Sequence, residues 1–183
     1  DRVGHEGPAE LGKMEALLAA LDLALAGGES RRRLKQTLAG AMVSVTGGQM
    51  APVSFFRGTP ARVQPYYLNH WQGVKTGWPL LDVLRGDFFC LPFGRGDPPH
   101  GETANADWSF VGRQTEGDRA SLALSLSPKA RPGTVRKTIW LLAGHNALYI
   151  RHELSGFSGR MCYSHHAILA VPGLDAVQIG PHD

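Results

Sequence analysis

Three places in this sequence set ionisable side chains among apolar neighbours. Arg85 precedes Gly86-Asp87-Phe88-Phe89, His100 lies in Pro98-Pro99-His100-Gly101-Glu102, and His165-His166 precedes Ala167-Ile168-Leu169. A guanidinium or imidazole in such a stretch must find a partner or bear its desolvation, so each is a candidate site residue. Imidazole titrates near neutrality and is suited to give or take a proton in catalysis. Taken singly, each residue is explained without a function as a satisfied interior polar group or a rim residue. His100, Glu102, His165 and His166 are also metal-ligand types. A barrel-type metal site, however, wants H-x-H with a Glu a few residues on, which His100-Gly101-Glu102 does not supply. Neighbouring histidines on a strand point to opposite faces, so a pocket admits one of His165 and His166. No metal and no organic cofactor is expected.

The elements that must position these residues change character at Gly40. From Pro8 to Ala26, Leu11, Met14, Leu17, Leu18, Leu21 and Leu25 recur at three- and four-residue steps, the stripe of an amphipathic helix that Gly27-Gly28 ends. A second helical piece is expected from Ser30 towards Leu38. Beyond Gly40, β-branched and aromatic runs broken by Gly and Pro predict strands. Candidates are Ala41–Val45, Pro52–Phe56, Phe88–Leu91, Trp108–Val111, Ala120–Ser127, Arg136–Leu142, Ala147–Leu154, Cys162–His165 and Ala167–Val171. Ala120, Leu122, Leu124 and Leu126 alternate with Ser121, Ala123, Ser125 and Ser127, which predicts one buried and one wet face. Leu148, Ile150, His152 and Leu154 oppose Tyr149, Arg151 and Glu153 in the same way, after a hairpin turn at Gly144-His145-Asn146. The expectation is a helical segment over residues 1–40 and a mostly β, antiparallel sandwich over 41–183. Thr59 to Pro79 predicts a long ordered loop bordering a site.

Composition narrows the partners. Across 183 residues, Lys+Arg 19 against Asp+Glu 16 leaves a net charge of +3, and Arg31-Arg32-Arg33 is the one dense basic run. That balance argues against nucleic acid as a partner. The longest apolar segment, Leu17 to Ala26, contains Asp22 and falls short of the roughly 20 residues that span a bilayer, so no membrane partner is expected. The start at Asp1 lacks a signal-peptide layout and suggests a fragment, and the location expected is cytoplasmic. Cys90 and Cys162 are expected to be reduced core residues.

Leu84-Arg85-Gly86-Asp87-Phe88-Phe89-Cys90-Leu91-Pro92-Phe93-Gly94, Pro99-His100-Gly101-Glu102 with Trp108 following, and Tyr163-Ser164-His165-His166-Ala167-Ile168-Leu169 come in the order of motifs in aldose 1-epimerases. With Gly47-Gly48-Gln49-Met50-Ala51-Pro52-Val53, this set resembles the galactose mutarotase-like family from about Met42 onward. The resemblance implies an incomplete mutarotase-like supersandwich acting on the anomeric centre of a sugar. It implies that His166 protonates the pyranose ring oxygen, that His100 assists it, and that Arg85, His165, Trp108 and Glu102 contact the sugar. The family's general base, a Glu near the end of a longer domain, has no counterpart before Asp183, so half a pocket is expected. Two alternatives stay open: a non-catalytic carbohydrate-binding or structural sandwich with Trp108, Trp71, Tyr66 and Tyr67 as stacking platforms, and a metal-dependent β-barrel enzyme. Half a sandwich would leave edges that recruit strands, so association with itself or with another chain is expected.

Overall fold

Alternating residues build eight strands in a computed structural model, which describes residues 39–71, 74–96 and 98–171. The two expected N-terminal helices lie outside the described residues. Strands β1 (Gly40–Val43), β2 (Met50–Ser54), β3 (Asp87–Cys90) and β8 (Ser164–Ala167) form one sheet in the order β1-β2-β3-β8. Strands β4 (Ser109–Glu116), β5 (Arg119–Leu126), β6 (Thr134–Leu142) and β7 (Tyr149–Ser155) form a second sheet in chain order. Every pair is antiparallel, so the mostly β, two-sheet expectation is met, and the sheets do not close into a barrel. Two short helices, α1 (Pro79–Val83) and α2 (Glu102–Asn105), were not expected. Neither is long enough to establish an apolar period. No helix among the described residues is long and apolar enough to cross a membrane.

The core lies between the sheets. Val43, Met50, Val53, Phe89 and Leu91 from the first meet Leu122, Leu124, Val135 and Ile139 from the second in one buried cluster. On β5 the expected alternation holds in part: Ala120, Leu122 and Leu124 are buried while Ser121 and Ser125 are half-exposed, but Ala123, expected on the wet face, is buried too and Leu126 only partly so. On β6 the inward phase is Val135, Lys137, Ile139 and Leu141, which puts a lysine where the period demands an apolar residue. The expected loop from Thr59 is tied down by single bridges, Phe55 to Val63, Tyr66 to Leu169 and Leu68 to Arg85.

Buried Gln49 joins the β1–β2 turn to the rest of the first sheet. Its Oε1 accepts the Arg85 backbone N–H at 2.7 Å, and its Nε2 donates to the Ala104 carbonyl at 3.2 Å. Gly86, at φ +48°, leads into β3 so closely under β2 that a Cβ there would run into the Met50 carbonyl.

Candidate functional site

Three polar groupings emerge from this framework. The first lies on the face of β3 and β8 turned away from the second sheet. Phe88 pairs with His166 and Phe89 with His165, so the pleat sends the two histidines to opposite faces. His166 stacks on Phe88 with ring centroids 4.8 Å apart, and the His100 ring meets it edge-on at 5.0 Å. His100 holds a left-handed backbone, φ +62°, in a tight turn where its N–H donates to the Gly94 carbonyl at 3.0 Å. The Asn105 amide fastens that turn by donating to the Pro99 and Gly101 carbonyls, each at 2.7 Å. Burial, and then the nearby His166, lower the His100 pKa from its ordinary value. His166 Nδ1 is buried with no hydrogen-bond partner among the described residues. The two rings touch edge to face without a hydrogen bond between them, and the His100 Nδ1 instead accepts the Gly94 N–H at 3.4 Å.

The second grouping is interior. Lys137 is 0 % exposed and its ammonium donates to the Gly48 carbonyl at 2.7 Å. Burial pulls its pKa down to about 8, against the attraction of buried Asp87. Asp87 Oδ2 lies 3.0 Å from Nδ1 of His165, whose side chain is 45 % exposed and closes the cluster towards solvent. His152 on β7 stacks on Phe89 at 4.1 Å and meets His165 at 5.0 Å. Burial first, then the Lys137 and His165 charges, push the His152 pKa down to about 2, so this ring is neutral. Burial and the Asp87 charge also push the Tyr66 phenol and the Cys90 thiol up to about 12.

The third grouping is the outer face of the second sheet. β5, β6 and β7 turn Arg119, Arg136, Trp140, Tyr149 and Arg151 away from the core, in step with the buried phase of each strand. The Arg119 guanidinium sits 4.8 Å from the Trp140 ring centroid, and Trp140 stacks on Tyr149 at 5.6 Å with planes 10° apart. The Tyr149 hydroxyl is 2.8 Å from His145 Nδ1. Beside this column runs a groove of about 390 Å³, with Gly112, Ser121 and Ala123 among its walls and Arg119 and Arg136 around it.

The residues singled out in the sequence therefore separate. His100 and His166 meet; His165 belongs to the interior cluster. Arg85 is buried and its Nε donates to the Val83 carbonyl at 3.3 Å. Trp108 is 2 % exposed and its indole N–H donates to the Thr103 carbonyl at 3.0 Å, so its ring offers no open stacking face. Glu102 begins α2 and accepts the Ala130 N–H at 2.9 Å. Both cysteines are free, but Cys162 is exposed rather than in the core, because it precedes β8 and its thiol turns to the Phe93 carbonyl. Lys137, Trp140 and the outer arginines were not anticipated. Their signal was there in phase: Lys137 shares the parity of Val135 and Ile139, Trp140 that of Arg136.

Three curated proteins, each named tRNA(Ile)-lysidine synthase, match part of the chain. The protein of Bradyrhizobium diazoefficiens is 57 % identical over 61 residues, 27 % of this chain and 17 % of the relative. That of Rhodopseudomonas palustris is 54 % identical over 55 residues, 28 % and 16 % of the two chains. That of Bradyrhizobium sp. strain BTAi1 is 64 % identical over 50 residues, 25 % and 14 %. The chain thus spans about a sixth of the length of the curated relatives it matches. No protein-family model matches it. No solved structure matches it either.

These matches overturn the mutarotase resemblance, and with it the aldose 1-epimerase and carbohydrate-binding functions and the sugar ligand. The motifs behind it were short runs whose order is not specific to one family. The exclusion of nucleic acid fails as well, since the relatives are named for a tRNA. Its physical flaw is that net charge averages over the molecule, whereas Arg119 and Arg136 gather on one face beside a groove.

Proposed function

We propose that this chain is part of a tRNA-modifying protein of the tRNA(Ile)-lysidine synthase type, working in the cytoplasm, and that it contributes to holding the tRNA. The observation that carries this reading is the identity with three synthases of that name, 54 to 64 % over 50 to 61 residues. The outward arginines of the second sheet are consistent with it, because phosphate contacts supply most non-specific affinity for nucleic acid. The test is filter binding of the full 183-residue chain to a transcript of tRNA(Ile) and to a tRNA of another specificity. Retention is expected at roughly 1–100 μM protein, weakening as salt rises. No retention of either tRNA at low salt would refute the reading.

A further inference from the structure

We propose that the outer face of the second sheet is the RNA-contacting surface, taking unpaired nucleotides onto the Trp140–Tyr149 stack and their phosphates onto Arg119 and Arg136. This rests on the tRNA reading above and deepens it by naming the surface and the kind of nucleotide it takes.

Four observations favour this occupant. The outward residues of β5 are small, Ser121, Ala123 and Ser125, and two of them carry hydroxyls, which does not suit a face packed under another apolar layer. On that thin floor stand two large aromatic side chains, parallel and 5.6 Å apart, with a guanidinium over the indole. Flat side chains of these kinds are what unstacked bases pack against, and every base has a π-face to offer. The His145–Tyr149 contact at 2.8 Å fixes one end of the column.

Charge is the fourth. On the outer face the groove beside the column carries Arg119 and Arg136 against Glu116 alone among acidic lining residues, since Arg113 pairs with Leu122 and shares its inward face. Arg151 is already occupied, its guanidinium 2.7 Å from Glu153 Oε1. The surplus is positive and lies within reach of a backbone whose bases join the column. A fully paired helix would satisfy the arginines but could not use the aromatic pair, since its bases are already stacked.

The aromatic pair has an ordinary alternative as a cross-strand contact that only stabilises the sheet, so the test must separate affinity from stability. Fluorescence anisotropy of the full chain would be measured with labelled tRNA(Ile) transcript, a labelled ten-nucleotide oligouridylate and a fully paired RNA duplex. The variants are Trp140→Leu, which keeps apolar bulk on the sheet, and the double variant Arg119→Gln/Arg136→Gln; thermal melts accompany each. Trp140→Leu is expected to weaken tRNA and oligouridylate at least tenfold and to leave duplex binding unchanged. The arginine pair is expected to reduce the slope of log affinity against log salt by about 1.4, roughly 0.7 for each phosphate no longer neutralised. If the wild-type chain binds tRNA and both variants bind equally well, the surface assignment is overturned while the tRNA reading stands. A lower melting temperature with unchanged affinity overturns the surface assignment in the same way. If the wild type binds no RNA at all, both fall together.

Discussion

Lys137→Met should alter the pH dependence of stability in a way that isolates one buried charge. The ammonium is fully buried and holds a proton only up to about pH 8, against an ordinary value of 10.5. Between those values the unfolded chain binds more protons than the folded one, so stability rises with pH across this window. At about 1.36 kcal/mol for each pH unit, the whole rise is worth about 3 kcal/mol. Two groups act in the opposite sense. The Cys90 thiol is raised from 9.0 and the Tyr66 phenol from 10.0, both to about 12, so their contributions are present at neutral pH and are lost as pH climbs through those windows. The wild-type curve should therefore climb from pH 8 to 9, flatten, and then fall. Lys137→Met removes the climb and leaves the fall. It also deprives the Gly48 carbonyl of its donor, a constant offset of about 1–3 kcal/mol that cancels in the slope. Urea unfolding followed by far-ultraviolet circular dichroism at half-unit steps from pH 7.5 to 10.5 would measure it. The stability difference, wild type minus variant, should grow by about 3 kcal/mol across that range. Parallel curves would refute the placement of a perturbed lysine between the sheets.

Other outcomes follow from the same structure. His152 is held neutral down to about pH 2, so the wild type should lose stability as pH falls below its ordinary 6.5, by up to about 1.4 kcal/mol for each unit. His152→Phe, which keeps the stacking on Phe89, should move the acid-unfolding midpoint to lower pH. Gly86→Ala combines a left-handed φ with a collision at the Met50 carbonyl and should cost about 3 kcal/mol in chemical denaturation; a loss under about 1 kcal/mol would mean that β2 yields at that point. We propose self-association through β4, which has no further strand beside it among the described residues and carries Phe110 and Val111 at 54 % and 45 % exposure. Light scattering should show a concentration-dependent dimer that Val111→Lys abolishes; a monomer at millimolar concentration would refute it.

What the sequence determined by itself is what local periodicity can carry. The alternation of Ala120 to Leu126 settled which face of β5 is buried, and the adjacency of His165 and His166 alone required that they part company. Strands were legible because successive Cβ atoms must point to opposite sides of a pleat, a rule that needs no knowledge of neighbours. The tertiary structure decided which of those sides meet. Lys137 and Asp87 come together only because β6 of one sheet faces β3 of the other, and Trp108 is a core anchor because α2 places the Thr103 carbonyl under its indole. The arginine and aromatic face is likewise a product of strand pairing, since the register Trp140 to Tyr149 and Ser121 gathers residues that the net charge of +3 had averaged away. Residues far apart in the chain are brought side by side by pairing order and shared burial. Those depend on the whole folded chain closing its loops at once, which no window of sequence contains.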